Sequence, residues 1–279
     1  MIKKTKGAKH MKKSILAGLG LAAVLLLGAC GKSGSGEIEQ PLHIGVTSGP
    51  HEEIINFVSD IAKKDGFEIE VTVFDDFVAP NRALADGELD ANLFQTRPYL
   101  EEVNATEGYD LVPLEPTITL PMAVYSDRIK SLDEVKDGDK VGLPNSATQE
   151  GRALLVLADA GLITLPKGAG QEVTVNDIVD NPHDLEFILV EAAQLLVSLK
   201  DLDFAVVNSN YALDAGYFPD DSALFVEDSK ELKQANYLVT RAEDADAEIF
   251  DEFLSYYQTE EVRDFILEKY RGAAIPSWE

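Results

Sequence analysis

The sequence predicts an α/β protein with two sheets. From Leu42 onward, short apolar runs typical of strands alternate with segments that carry one apolar helical stripe, and this alternation favours largely parallel sheets covered by helices. The alternation starts again near Lys140 with new strands, so two sheets are expected instead of one long sheet. About 250 residues follow the N-terminal leader described below, enough for two lobes of roughly 100 residues or more.

The first set of elements begins with a strand at residues 42–46, and Gly49-Pro50 then breaks the apolar run. Proline suits the first turn of a helix, and apolar side chains then repeat at helical spacing, at Ile54, Ile55, Val58, Ile61 and Ala62. Three more elements follow from the same patterns: a strand at 68–74, a helix at 81–86 and a strand at 91–94.

The second set comprises strands at 140–143, 186–190 and 204–207, with helices at 152–160, 175–179 and 192–199. Residues 118–125, interrupted by Pro121, are expected to lead into the second lobe, and residues 225–226 and 237–240 to lead back. A final helix over 247–270 has an apolar stripe suited to docking on the first lobe, formed by Ile249, Phe250, Phe253, Tyr257, Val262, Phe265 and Ile266.

The N-terminus predicts a lipoprotein signal over residues 1–29. Two lysines precede a 13-residue apolar stretch, Ile15–Leu27, which is too short to span a bilayer, and small residues lead to Cys30, the only cysteine of the chain. A cysteine at the first mature position accepts a lipid anchor, and residues 30–40 then form a flexible tether. A leader that starts at Met11 has better proportions than one that starts at Met1, so Met11 is the expected initiator. The alternative is an ordinary signal peptide with an incidental cysteine.

The net charge of the chain limits the classes of binding partner that are expected. Removal of residues 1–29 takes away six lysines and no acidic residue, so the formal charge changes from −26 to −32. A nucleic-acid partner is not expected, because phosphate binding requires a basic surface. The same acidity opposes adsorption to anionic lipid, so membrane attachment is assigned to the lipid anchor.

Signals for catalysis are poor. The sequence lacks the serine nucleophile elbow, the zinc-protease His-Glu-x-x-His motif and the glycine-rich phosphate and dinucleotide loops. The histidines after the leader, His43, His51 and His183, lie far apart without metal-ligand spacing. We therefore expect no metal, no cofactor and no enzyme activity.

One segment is suited to an anion. A strand ends at Leu143, a turn follows, and residues 146–149 have the Ser-x-x-Gln form of a capping box at a helix start. Arg152 lies less than two turns inside this helix, with a guanidinium fork that matches a carboxylate. A surface arginine at an ordinary helix start is the alternative interpretation.

Several segments from Leu42 to the C-terminus are typical of one family in their order and spacing. They are Gly45-Val46-Thr47-Ser48-Gly49-Pro50-His51, Phe74-Asp75-Asp76-Phe77-Val78-Ala79-Pro80-Asn81, Gly87-Glu88-Leu89-Asp90-Ala91-Asn92-Leu93-Phe94-Gln95, Pro98-Tyr99-Leu100, Pro144-Asn145, Gly151-Arg152, Glu191-Ala192-Ala193-Gln194 and Val207-Asn208-Ser209-Asn210-Tyr211-Ala212. The chain resembles the methionine-binding lipoproteins of ABC importers, the NlpA-type lipoproteins. This resemblance implies a two-lobed type II periplasmic-binding-protein fold with a ligand cleft and two hinge crossings. It also implies a membrane permease and its ATPase as partners.

The resemblance also assigns site residues. It implies that Arg152 holds the ligand carboxylate, that Asn208 helps fix the amino-acid backbone, and that Phe77, Phe94 and Tyr99 wall the side-chain pocket. Further candidates are Gln95, Thr96, Asn145, Gln149 and Glu191. Of these, Gln95, Asn145 and Glu191 either orient the residues that contact the ligand or serve only structure. A zwitterion needs a cation, amide oxygens for its ammonium and an apolar slot, which agrees with these residue types.

The sequence departs from the family pattern where specificity is expected. The family usually has His where this chain has Thr96, Asn where it has Gln149, and Pro-Arg where it has Leu196-Val197. The resemblance makes methionine the expected ligand. Because of these departures, another apolar amino acid or a short methionine-containing peptide remains an alternative.

The expected organisation has residues 41–128 and 223–279 in the first lobe and residues 129–222 in the second. The protein is expected to be monomeric and lipid-anchored outside the cytoplasm. A secreted hydrolase and a surface adhesin with a degenerate pocket are the competing functions.

Overall fold

The computed structural model of the protein describes residue 38 and residues 40–228 and 234–278. The predicted signal peptide, Cys30 and nearly all of the tether lie outside the described residues. Within the described part of the chain, no helix combines the length and the apolar composition needed to cross a membrane.

The first sheet has six strands in the order β11-β4-β10-β3-β1-β2. Their bounds are β1 Leu42–Thr47, β2 Ile69–Phe74, β3 Ala91–Thr96, β4 Leu111–Thr119, β10 Ala235–Arg241 and β11 Ile275–Pro276. Strand β1 pairs parallel with β2 and β3, whereas β10 pairs antiparallel with β3 and β4, and β11 pairs antiparallel with β4. The sheet is therefore mixed, with its parallel part formed by the first three strands.

The second sheet has five strands in the order β7-β6-β8-β5-β9. Their bounds are β5 Ala123–Tyr125, β6 Lys140–Pro144, β7 Glu186–Val190, β8 Phe204–Val207 and β9 Phe225–Val226. Strand β6 pairs parallel with β7 and β8, and β5 pairs antiparallel with β8 and β9. Two sheets of an α/β protein are thus confirmed, and each sheet carries antiparallel strands next to the crossings.

The α-helices have the bounds α1 Pro50–Ala62, α2 Ala79–Ala85, α3 Arg97–Glu107, α4 Ala147–Asp159, α5 Leu195–Ser198, α6 Ser209–Asp214, α7 Pro219–Ser222, α8 Glu248–Tyr257 and α9 Glu260–Tyr270. The core of the first lobe forms where α1, α8 and α9 bury their apolar stripes against the first sheet. Val58 of α1, Phe253 of α8 and Ile266 of α9 are fully buried there, and each contributes roughly 1.5 to 3 kcal/mol by its burial. The predicted docking of the C-terminal residues on the first lobe is confirmed.

The strand pairing differs from the predicted lobe boundaries at two points. Strands β5 and β9 lie within the residues assigned to the first lobe, yet both hydrogen-bond in the second sheet. The chain thus leaves the first sheet at residues 120–122 and leaves the second after Val226. The two crossings lie side by side, because the Glu227 amide donates to the Met122 carbonyl oxygen at 2.9 Å. This pairing favours lobe boundaries at the crossings.

Three predicted helices differ from the structure. The single helix expected over 247–270 is two helices, because the chain breaks at Gln258 and the hydroxyl of Thr259 accepts from the Val262 amide to cap α9. Only a 3-10 turn forms within 175–179, and the helix expected at 192–199 consists of short 3-10 and α segments.

The start of α4 also differs from its prediction. Ser146 is the residue before the helix, but its hydroxyl caps nothing, so the expected capping box is wrong. The carboxylate of Glu102, on α3 of the first lobe, accepts instead from the amides of Ala147 at 3.0 Å and Thr148 at 2.9 Å and from the Thr148 hydroxyl. An acidic side chain suits the positive end of a helix. The helix of one lobe is therefore capped from the other lobe.

Candidate functional site

A cavity lies between the two lobes, beside the first crossing. It encloses about 370 Å³ of space between protein atoms, a figure that includes the part open to solvent. On the first lobe its walls come from α1, β3, α3, β10 and the segment before α2. On the second lobe they come from α4, α6 and the residue before α6. Closure of the lobes therefore determines the shape of the cavity.

Aromatic side chains form one wall. The rings of Phe77 and Phe94 lie with centroids 5.7 Å apart, and Tyr99 meets both rings edge-on at 5.9 and 6.3 Å. Tyr211 of the second lobe packs on Phe77 at 5.0 Å. The Tyr99 hydroxyl donates to the Phe77 carbonyl oxygen at 3.2 Å. Burial, with the Glu102 carboxylate as the next cause, raises the pKa of Tyr99, so this hydroxyl remains a donor. The wall offers an apolar slot for a side chain.

Arg152 is fixed by a carboxylate of the chain itself. Its Nε donates to Glu227 Oε1 at 2.9 Å, and its Nη2 donates to Glu227 Oε2 at 2.5 Å and to the Leu120 carbonyl oxygen at 2.9 Å. The Arg152 side chain is 5% exposed and that of Glu227 is 11% exposed. Glu227 Oε2 also accepts from the Met122 amide at 2.8 Å. The guanidinium is therefore held against both crossings.

The residue before Arg152 must be small. A Cβ at Gly151 would lie 2.0 Å from the Gln171 carbonyl oxygen, so only glycine allows this loop to pack on α4. The close packing fixes the face of α4 that carries Arg152 and Gln149 toward the cavity.

Three polar atoms at the cavity remain available. Nη1 of Arg152 donates no hydrogen bond to any described residue. Asn208 donates from Nδ2 to Gln149 Oε1 at 2.7 Å, which leaves its buried Oδ1 without a partner among the described residues. Asn210 Nδ2 is also buried and has no hydrogen-bond partner among the described residues. Buried polar atoms without partners are costly, so the two amide atoms, together with the Arg152 cation, suit a polar ligand with a carboxylate and an ammonium group.

A network of amides supports the wall from behind. Gln95 Nε2 donates to Asn81 Oδ1 at 2.6 Å and to Asn92 Oδ1 at 2.8 Å, and Asn81 Nδ2 donates back to Gln95 Oε1 at 2.9 Å. All three side chains are buried. Gln95 lies between Phe94 and Thr96 on β3, so the network fixes the strand that presents both to the cavity.

His51 lines the cavity as a neutral residue. Its Nδ1 lies 3.0 Å from Thr47 Oγ1 and its Nε2 lies 3.0 Å from Asn236 Oδ1. Burial lowers the pKa of His51 to about 4, and the hydrogen bond to Asn236 opposes this only in part. The imidazole is therefore uncharged near neutral pH. Among the described residues, no group of three or more His, Cys, Asp or Glu side chains could hold a metal ion.

A profile of the NlpA lipoprotein family matches residues 42–278. The D-methionine-binding lipoprotein MetQ of Escherichia coli K12 is 41% identical over 259 residues, which cover 91% of this chain and 95% of that protein. The chain belongs to the NlpA lipoprotein family.

Solved structures similar to this NlpA lipoprotein agree with the fold. A nutrient-binding protein from Burkholderia cenocepacia bound to methionine has a TM-score of 0.81 and 39% identity, over 85% of this chain and 99% of that chain. A periplasmic substrate-binding protein of an ABC transporter from Coxiella burnetii has a TM-score of 0.80 and 34% identity, over 84% of this chain and 99% of that chain. The two-lobed type II periplasmic-binding-protein fold predicted from the sequence is confirmed.

The structure brings most of the predicted site residues of this NlpA lipoprotein to one cavity. Those that line it are Phe77, Phe94, Gln95, Thr96, Tyr99, Gln149, Arg152 and Asn208. Asn145 and Glu191 do not line the cavity, and both are exposed. Asn145 lies in the turn between β6 and α4, and Glu191 directly follows β7.

Sequence reasoning missed other lining residues of the NlpA lipoprotein cavity, namely His51, Leu120, Ser209, Asn210 and Asn236. His51, Ser209 and Asn210 stand inside the family-like segments, which was an available signal. Asn236 had none, because it reaches the cavity only through the antiparallel return of β10 beside β3. Glu227, which fixes Arg152, was hidden among 50 acidic residues.

Proposed function

We propose that the protein is a lipid-anchored substrate-binding protein of an ABC importer and that it binds methionine or a closely related amino acid. The monomer captures its ligand outside the cytoplasm and delivers it to a permease driven by an ATPase. Support comes from membership of the NlpA lipoprotein family, from the methionine-bound Burkholderia relative and from the ABC-transporter relative of Coxiella. The lobe boundaries of this proposal lie at the two crossings.

The observation that carries the proposal is a single cavity that combines a fixed cation, an unpaired amide oxygen and an aromatic slot. Arg152 Nη1 is available to the ligand carboxylate, and Asn208 Oδ1 is an acceptor suited to an ammonium group. Phe77, Phe94 and Tyr99 surround the space for an apolar side chain. These groups match an amino-acid zwitterion with an apolar side chain.

The site is also balanced in charge. Arg152, the charged side chain among the described lining residues, is paired with Glu227, and His51 is uncharged. A ligand with no net charge keeps that balance, whereas a dicarboxylate would leave a buried negative charge without a partner. Thr96 and Gln149 adjust the side-chain slot, and Asn145 and Glu191 have no direct role in this proposal.

The proposed role is binding without catalysis. Ligand contacts from both lobes favour the closed form to the extent that they are absent in the open form. The one histidine at the cavity is held between Thr47 and Asn236 and has a low pKa, which makes it a poor general base near pH 7.

The test begins with protein purified without denaturation, from which bound ligand is released and identified by mass spectrometry. Thermal denaturation of ligand-free protein with L-methionine, D-methionine, leucine, glutamine and glycyl-methionine then ranks the candidates. We expect methionine, in one or both stereoisomers, to raise the Tm the most. No increase with any of these compounds would overturn the proposal and favour an adhesin, and turnover in hydrolase assays would favour an enzyme.

A further inference from the structure

One contact across the cleft does not involve any residue that lines the cavity. Both carboxylate oxygens of Glu102 accept hydrogen bonds from the first turn of α4, at 3.0 Å from the Ala147 amide and 2.9 Å from the Thr148 amide. Glu102 belongs to the first lobe and α4 to the second. Separation of the lobes must therefore break this cap and expose two amides that have no partner within the helix.

A second residue stands at the capping position of the same helix. Ser146 is the residue before α4, with φ −81° and ψ 145°, the backbone conformation from which serine caps a helix. In that role its hydroxyl would accept from the amide of Thr148 or Gln149. Here the Ser146 hydroxyl is buried and has no hydrogen-bond partner among the described residues. Serine is one of the best capping residues, so its unused hydroxyl needs an explanation.

We propose that Glu102 is a positioning residue for ligand binding and that Ser146 replaces it as the cap of α4 when the lobes separate. In the closed form, Glu102 holds the helix that carries Gln149 and Arg152 over the aromatic wall. In the open form, a rotation about the Cα–Cβ bond of Ser146 caps the Thr148 amide. The inference rests on the proposed function in that closure serves ligand capture.

The exchange sets the balance between the two forms. The Glu102 cap is charge-assisted and uses both oxygens, whereas the Ser146 cap is a single neutral hydrogen bond. The apparent affinity for a ligand falls in proportion to the fraction of protein that can close. The Glu102 cap therefore raises the apparent affinity and the Ser146 cap lowers it, although neither residue lines the cavity.

The test uses two substitutions and their matched controls. Glu102→Gln weakens the closed-form cap, and Glu101→Gln makes the same charge change at an exposed position of the same helix. Ser146→Ala removes the open-form cap. Its control is Ser131→Ala, which removes a serine cap from a 3-10 turn elsewhere.

The first measurement is the distance between the lobes in the ligand-free protein. Spin labels are placed on cysteines introduced at exposed positions of each lobe, by Lys64→Cys and Lys167→Cys, in a Cys30→Ser background. We expect Glu102→Gln to lengthen the mean distance and Ser146→Ala to shorten it, with both controls unchanged. The second measurement is calorimetric Kd for methionine. We expect about 3- to 30-fold weaker binding for Glu102→Gln and up to about 10-fold tighter binding for Ser146→Ala.

Ser146→Ala decides the exchange, because a purely structural serine would weaken binding or leave it unchanged when removed. An unchanged or longer distance in that variant overturns the inference, as does an unchanged distance in Glu102→Gln. If methionine fails to bind the wild-type protein, the proposed ligand is wrong, and the distance measurement still decides the exchange because it needs no ligand.

Discussion

Replacement of Arg152 should reduce both ligand binding and stability, for two separable reasons. The stability effect comes from the ion pair with Glu227, and the binding effect from the proposed contact with the ligand. Arg152→Met keeps much of the side-chain volume and leaves the Glu227 carboxylate, which is 11% exposed, without its cation. The loss of one partner of a buried pair costs about 3 to 5 kcal/mol. In a protein of this size that corresponds to a decrease in Tm of about 6 to 20 °C.

A double substitution separates the two effects. Arg152→Met with Glu227→Gln leaves no buried charge, so we expect it to recover most of the lost stability. It should not recover binding, because the proposed contact to the ligand carboxylate is still absent. That contact is expected to contribute on the order of 2 to 5 kcal/mol, or about 30-fold to several thousand-fold in affinity.

The assays are thermal and denaturant unfolding for stability and calorimetry for the affinity of methionine. Arg128→Met is the matched control, because Arg128 pairs with Asp203 at 2.8 Å but is 46% exposed, and it should cost less than about 1 kcal/mol. A double variant as unstable as Arg152→Met would refute the argument about the unpaired carboxylate. Unchanged affinity in Arg152→Met would remove Arg152 from the site.

Three further predictions concern the anchor, pH and specificity. Cys30→Ser should abolish labelling by lipid precursors and release the protein from membranes, since the chain has no other thiol; persistent labelling would contradict the lipoprotein signal. Since His51 has a pKa of about 4 in the fold and about 6.5 when unfolded, its neutral form stabilises the protein above pH 6.5, and this contribution is lost as the pH falls through 4. The free energy of unfolding should therefore fall by about 3 kcal/mol more between pH 7 and 4 in the wild type than in His51→Gln, and equal slopes in the two proteins would contradict this assignment. Thr96→His should change the ranking of methionine, leucine, glutamine and glycyl-methionine, whereas Asn208→Ala should weaken all four alike; a uniform loss in the first or a selective loss in the second would reverse the two roles.

The sequence predicted the buried strands well because their signals are local. Strands such as β7 and β8 have the predicted bounds, since each is a short apolar run bordered by polar or turn residues. The break before α9 was missed, because no glycine or proline marks Gln258-Thr259 and the apolar stripe continues across it. Helix α3 was not predicted either, since its residues are mostly charged or polar and only two of its side chains are buried.

Site residues could be predicted only where they lie within a recognisable sequence motif. Arg152 and the three aromatic residues were found from family-like segments, and they do meet at one cavity. The predicted cap of α4 was wrong, because the residue that caps this helix, Glu102, lies 45 positions before Ala147 in the chain. The ion pair of Arg152 with Glu227 spans 75 positions, and no pattern in one sequence connects such partners.

The insertion of the second lobe has a mechanical consequence. Strands β1 and β11, near the two ends of the described chain, both belong to the first sheet, and the second lobe is entered after β4 and left before β10. Tension applied through an N-terminal lipid anchor ahead of β1 would therefore act on the first lobe alone. A pull on both chain ends reaches the second lobe only after β4 and β10 have been stripped from the first sheet, so forced unfolding should proceed in that fixed sequence.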